Sequence, residues 1–306
     1  MPDLSRFGAA RPWSLGVEEE LMLVDAETLL PAEDGWSRVF GEATDRIKPE
    51  IFESMVEIVT PVLETAAEVE SELRALRREV AERAAVHGLA VLAVGSHPAA
   101  TEPPRFVPSD RVALLKTRLG PELRDQNVCG LHVHVSLPDP GTCLRAFEGV
   151  VPHLPRLLAE SANSPFRGGV PTGWRSTRSQ VLLELPTGGT PPVLRDWDDW
   201  EAATQGDSTR RHWDAWPRPE YGTLEVRVMD QPTSVRRTAE LAAEVQRLVR
   251  EAAHETAERS GEAYDRVEYA RERERAGREG GGPEAERQLE LGPEAALREI
   301  AEVAIR

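Results

Sequence analysis

Polar and apolar residues alternate strictly in several short stretches, and that period of two predicts β-strands, each with one face for a core and one for something else. In Leu15–Val24, Val17, Leu21 and Leu23 take one face and Glu18, Glu20 and Met22 the other, with Glu19 out of place among the apolar positions. Cys129–Ser136 places Leu131, Val133 and Val135 opposite His132, His134 and Ser136. Gly222–Asp230 places Leu224, Val226 and Val228 opposite Glu225 and Arg227. Glu50–Thr60 reads as one more strand, in which Val56 and Ile58 bracket Glu57, Glu53 and Met55 share its face, and Pro61 ends the run. Leu89–Val94 is a short, continuously apolar strand.

The period then changes to that of helices. Thr65-Ala-Ala-Glu68 is a capping-box signature opening a helix with the apolar stripe Val69, Leu73, Leu76 and Val80, closed by His87-Gly88. A helix is expected near 109–119, another over 143–160 split by Pro152 and Pro155, and a long one after Pro232–Ser234 carrying Leu241, Val245, Leu248 and Val249. Residues 1–13 read as a tail. From about Glu255 the chain is dominated by Glu, Arg, Ala and Gly and broken by Gly280–Gly282, which predicts a solvated, partly disordered helical extension over 255–306. The organised unit is then 14–254.

Composition narrows the function. Hydrophobic residues make up 40% of 306, enough for a sizeable core. The net charge of -16 argues against a nucleic-acid partner. Lysine is confined to Lys48 and Lys116, so arginine supplies nearly all positive charge. Two cysteines make no disulfide scaffold, and without a membrane-spanning run or signal-peptide core the expected setting is the cytoplasm, away from membranes. Edge strands and acidic helices are compatible with a homodimer.

Taken one at a time, the polar strand faces fit plain solvent exposure. Placed on one sheet, they would gather Glu18, Glu20, Glu53, Glu57 and Glu225 with two imidazoles and Arg227, a cluster that repels itself without cations. Carboxylate oxygens suit Mg²⁺, and a histidine in the set is well tolerated by Mn²⁺. Such a site with arginines nearby is equipment for a polyphosphate. The chain has no G-x-x-x-x-G-K-[ST] loop, so a nucleotide would be held by metal and arginine. HExxH, CxxC and GxSxG are also absent. Arg175 and Arg178, three apart in a loop with Trp174 and Ser176, hint at anion binding.

The segments Leu15-Gly-Val-Glu-Glu-Glu-Leu21, Glu57-Ile-Val-Thr-Pro61, Gly95-Ser-His-Pro98, Cys129-Gly-Leu-His-Val-His-Val135, Ser161-Ala-Asn-Ser-Pro165, Ser176-Thr-Arg178 and Gly222-Thr-Leu-Glu-Val-Arg-Val-Met-Asp230 occur in one order. Together they resemble the carboxylate–amine ligases of the glutamate–cysteine ligase type 2 family, over roughly residues 13–250. The resemblance implies an α+β, glutamine-synthetase-like catalytic fold: a curved, mainly antiparallel sheet with helices packed on one face. It implies ATP as co-substrate with Mg²⁺, and glutamate joined through a γ-glutamyl phosphate to cysteine or another amine. Carried over residue by residue, Glu18, Glu20, Glu53, Glu57, His132 and Glu225 would hold metal, with His134 facing the site. Glu57, Glu225 and Arg227 would be catalytic. Arg178, Arg227, Arg175 and Asn163 would bind substrate or ATP.

The sequence departs from the family pattern around Arg111-Val112, and its tail lacks the arginine- and tryptophan-containing segment expected there. Other readings are a nucleotide- or amino-acid-binding protein that retains the fold with reduced catalysis, and a metal-dependent hydrolase.

Overall fold

The alternating segments pair with one another. The computed structural model describes residues 2–102, 104–185, 187–205, 211–255 and 264–305. Its strands are β1 (Leu15–Asp25), β2 (Ile47–Pro49), β3 (Met55–Val59), β4 (Leu89–Leu92), β5 (Gly130–Ser136), a small separate hairpin β6 (Phe166–Arg167) and β7 (Val170–Pro171), then β8 (Ala215–Arg218) and β9 (Thr223–Asp230). All but the hairpin form one sheet in the order β2-β3-β1-β5-β9-β8, with β4 paired to the far end of β1. Every pairing in it is antiparallel. The register sets Glu20 opposite Glu57, Glu18 opposite His132 and His134 opposite Glu225. Directly opposite residues share a face, so the polar positions of four strands converge on one side.

The other side is the main core. Val17, Leu21, Leu23, Val56, Ile58, Leu131, Val133, Val135, Leu224 and Val226 are fully buried. They pack against helices α2 (Ala66–Ala85), α4 (Pro140–Val150) and α8 (Val235–Glu255), whose Leu73, Leu76, Phe147 and Val245 belong to the same cluster. Each such side chain gains about 1.5–3 kcal/mol on burial. The capping box of α2 forms as expected, and the helix predicted over 143–160 divides at the prolines into α4, a 3-10 turn at Val151–His153 and α5 (Leu154–Ser161). Helices α1 (Gly35–Val39), α3 (Asp110–Leu119), α6 (Thr177–Glu184) and α7 (Trp197–Thr204) complete the first 254 residues.

Glu19, the misfit of β1, is completely buried in a bidentate pair with Arg77 of α2, at 2.7 and 2.6 Å. Gln231 and Thr238 donate to the same carboxylate at 2.9 and 2.7 Å. The rest of the guanidinium donates to the carbonyls of Pro232, Thr233 and Ala304. One buried charge pair therefore ties the central strand, a core helix, the lead into α8 and the C-terminal segment together.

Three expectations need correction. Residues 50–54 are not strand: the chain turns there before Met55, and β2 precedes it. The N-terminal residues are docked, with Leu4, Phe7 and Trp13 against the core and the Ser136 hydroxyl donating to the Arg11 carbonyl at 2.5 Å. The expected disordered extension lies in part on residues 256–263, outside the described residues. Beyond them α9 (Arg266–Glu279), α10 (Pro283–Leu291) and α11 (Pro293–Val303) pack on the domain. Arg273 of α9 is buried in a pair with Asp214 at 2.5 Å, and Leu297 and Ile300 of α11 cover Met22, Val24 and Leu92. Gly280 and Gly282 mark close packing here: a Cβ on either would fall within 3 Å of Ala159 or Ala162 backbone.

Candidate active site

The polar sheet face floors a cavity of about 460 Å³. Its floor carries Glu18 and Glu20 from β1, Glu57 from β3, His132 from β5 and Glu225 and Arg227 from β9. Strand β8 and the turn after it add Trp216, Arg218 and Tyr221, while α3 and α6 form the facing wall.

Two clusters of ligating atoms stand on this floor. Oxygens of Glu18 and Glu225 and a ring nitrogen of His134 lie within 4.8 Å of one another, and so do oxygens of Glu20, Glu50 and Glu57. His132 sits between them: Nδ1 is 3.2 Å from Glu18 and 3.9 Å from Glu225, and Nε2 is 3.9 Å from Glu20. In His134 the Thr223 hydroxyl holds Nδ1 at 3.0 Å, which leaves Nε2 facing Glu18 at 3.6 Å. Neither histidine's Nε2 has a hydrogen-bond partner, although both are buried.

The electrostatics differ between the ends. Burial pushes the Glu225 carboxyl up, but Arg227, Arg218 and the histidines outweigh it and hold the group well below the usual range. The Trp216 indole also donates to it at 2.6 Å, beside Arg218 at 2.5 Å and Arg227 at 3.2 Å. For Glu18, burial is again opposed by His132 and His134, and the carboxyl is pulled down to about 2. Glu57 goes the other way: burial, then the charges of Glu50, Glu18 and Glu20, raise it well above the carboxylate range. Lys48 at 3.7 Å offsets this only in part. Glu20 is likewise raised by burial, even with the Gly130 N–H donating to it at 2.5 Å.

Arg178 is buried at the edge of the cavity, donating to the carbonyls of Arg227 and Val228. Gly130 has to be glycine for that reason, since a Cβ there would lie 2.2 Å from the guanidinium. Asp230 fixes the surrounding loops, accepting from Asn163 N, Ser164 Oγ and Ser176 Oγ at 2.9, 2.6 and 2.7 Å.

Three expected residues do not reach the cavity. Glu53 turns away and accepts from the backbone and hydroxyl of Ser37 at 2.9 and 2.7 Å, because the chain bends before β3 and breaks the alternation. Asn163 is consumed by the carbonyl of Gln231, Thr233 and Gln288. Arg175 pairs with Glu286 of α10 at 2.5 Å. Residues that periodicity missed take their place: Glu50 in the second cluster, and Arg218 and Trp216 beside Glu225. Glu50 lies on the turn, where alternation carries no signal. Trp216 and Arg218 sit on a short edge strand interrupted by Pro217.

The donor set fits divalent cations. Two oxygen-rich clusters, one with a neutral-leaning imidazole whose Nε2 has no other partner, match the ligand preferences of Mg²⁺ and Mn²⁺. The Thr223 hydroxyl at the opposite ring nitrogen fixes the orientation of the imidazole, the part that an outer-shell partner plays for such a ligand.

The chain is similar to known proteins. The family model described as glutamate–cysteine ligase family 2 matches residues 14–302. A Bdellovibrio bacteriovorus protein provisionally named glutamate–cysteine ligase 2 is 36% identical over 255 residues, covering 80% of this chain and 68% of that one. A Rubrobacter xylanophilus protein with a similar provisional name is 34% identical over 249 residues, 78% of this chain and 66% of that one. The chain thus spans about two-thirds of such relatives. Among solved structures, glutamate–cysteine ligase from Francisella tularensis in complex with AMP superposes with a TM-score of 0.60 at 13% identity, over 94% of this chain and 78% of that one. A bifunctional glutathione synthetase from Pasteurella multocida gives 0.61 at 17%, over 95% and 45%. These two show a shared fold, with the mainly antiparallel sheet and packed helices expected. The chain belongs to glutamate–cysteine ligase family 2.

Proposed function

We propose that the protein is an ATP-dependent carboxylate–amine ligase that activates the γ-carboxylate of glutamate as an acyl phosphate and transfers it to an amine, cysteine among the candidates. The observation that carries this is the pair of ligating clusters on one sheet face, with arginines crowding the Glu225 end. Family membership supports it, and so does the provisional name of the relatives.

Glu18, His134 and Glu225 would hold one Mg²⁺ or Mn²⁺, and Glu20, Glu50 and Glu57 another. The ions would supply neutralisation of the triphosphate and of charge developing during transfer. A γ-carboxylate oxygen attacks the γ-phosphorus as the bond to ADP breaks. The amine nitrogen then attacks the acyl carbon, phosphate leaves and the amine gives up a proton. Arg218 and Arg227 are placed to pair with phosphate oxygens, and they can turn to them once Glu225 has another partner. Arg178 adds positive charge at the edge of the cavity and fixes the β9 backbone.

His134→Ala is expected to weaken Mn²⁺ binding, measured by titration of the free-ion signal in electron paramagnetic resonance, by about tenfold or more. His132→Ala should weaken it less, because its Nδ1 already partners Glu18. That reverses the order suggested by the sequence, and equal losses would remove the distinction. The function itself is tested by phosphate release from ATP with Mg²⁺. Release that requires glutamate and rises with an amine supports the ligase. ATP binding without release under any combination would leave a nucleotide-binding protein.

A further inference from the structure

One wall of the cavity is apolar, and nothing in the proposed chemistry uses it. Leu119 is buried with Leu123 and Leu185 in a small cluster separate from both larger cores. Ile51, Leu115 and Leu182 are only partly buried against that cluster, and all three open onto the cavity. Leu114, 50% exposed, stands beside them at the rim. Sequence spacing explains the arrangement. Arg111, Leu114, Leu115 and Arg118 share one face of α3 by their i, i+3, i+4, i+7 positions, and all four line the cavity. Arg178 and Leu182, four apart on α6, do the same from the adjacent helix. The wall is therefore a leucine patch between guanidinium groups, next to Glu20, Glu50 and Glu57.

We propose that this patch is the acceptor subsite and that the acceptor is an α-amino acid with an apolar side chain. The inference rests on the ligase reading and names the amine that reading leaves open. An apolar α-amino acid matches the wall group by group. Its side chain covers the leucines, its carboxylate meets a guanidinium of α3, and its amine is turned to the cavity floor. A hydrophilic or very small acceptor would leave the leucines against water. Adenine, the other apolar group in the reaction, belongs at the opposite end. There Arg218 and Arg227 bracket Glu225, and Tyr221, 57% exposed, presents its ring 5.2 Å from Arg218.

The test is steady-state phosphate release with ATP, Mg²⁺ and glutamate, comparing leucine and phenylalanine with cysteine and glycine. Leucine or phenylalanine should exceed cysteine and glycine in kcat/KM by about tenfold or more, the discrimination an apolar pocket can provide. Leu115→Asn, at a partly exposed position, should narrow that ratio about tenfold, with the change in the acceptor's KM. Cysteine or glycine matching the apolar amino acids overturns the proposal. So does a Leu115→Asn effect that falls on the KM for ATP, which would make the wall an adenine site. Glutamyl hydroxamate formation with hydroxylamine, run on the same protein, separates the two levels. If hydroxamate forms, a failure of the acceptor ranking condemns only this subsite. If none forms, the ligase reading fails as well.

Discussion

Glu57→Gln is expected to reduce glutamate-dependent phosphate release from ATP by about 100-fold or more, and to make the metal-free protein melt at a higher temperature. The two effects have one cause. Glu57 is buried among Glu50, Glu18 and Glu20, so its carboxyl is raised well above the ordinary range and its ionised form strains the metal-free fold. Glutamine keeps the shape and removes the repulsion. The sign of the pH dependence follows. A carboxyl with a raised folded-state pKa contributes its stability below the unfolded value and loses it as pH rises through the folded value. Thermal melts of metal-free protein should therefore fall as pH rises above the usual glutamate range, more steeply in the parent than in Glu57→Gln. Mg²⁺ should restore the parent more than the variant, since a ligand that binds only the folded state stabilises it. Normal turnover in Glu57→Gln would show that the carboxylate clusters are not the site.

Arg77→Ala should be the most damaging substitution to stability, by about 3–5 kcal/mol, because it leaves the Glu19 carboxylate buried without its partner. That is a large part of the 5–15 kcal/mol typical of a whole domain, and it also frees the carbonyls of Pro232, Thr233 and Ala304. Urea denaturation measures it. Glu19→Leu combined with Arg77→Met should recover much of the loss, since an apolar pair of similar volume avoids the cost of an unpaired buried charge. If the single variant lost less than about 1 kcal/mol, the usual value of an exposed pair, the buried pair would not be the tie the geometry suggests.

Much of this arrangement is legible in the chain because a strand's period of two assigns each residue to a face. Once β1, β3, β5 and β9 pair in register, Glu18, Glu20, Glu57, His132, His134 and Glu225 must meet. Alternation fails where the backbone leaves the strand. Glu53 and Glu50 lie on the same turn, and nothing local shows that Glu53 would accept from Ser37 while Glu50 reached the site. Periodicity also places Glu19 on the core face without saying what accompanies it there, because Arg77 lies a helix away. The arginine- and glutamate-rich end of the chain reads as solvated by composition. Yet Arg273 finds Asp214, and the glycines at 280 and 282 allow α9 and α10 to close on α5. Such long-range pairings depend on geometry that composition does not carry. The leucine patch is legible as a face of α3, but its opening onto the carboxylate clusters is a tertiary fact.

In the proposed reaction a carboxylate is activated by phosphorylation on this sheet face. That activation is tested most directly with glutamate carrying ¹⁸O in its γ-carboxylate, incubated with ATP, Mg²⁺, an amine and the protein, followed by mass analysis of the released phosphate. One ¹⁸O atom is expected in each phosphate released, transferred from the carboxylate through the acyl phosphate. Phosphate without ¹⁸O, its fourth oxygen taken from water and its release equally fast without glutamate, would rule that activation out.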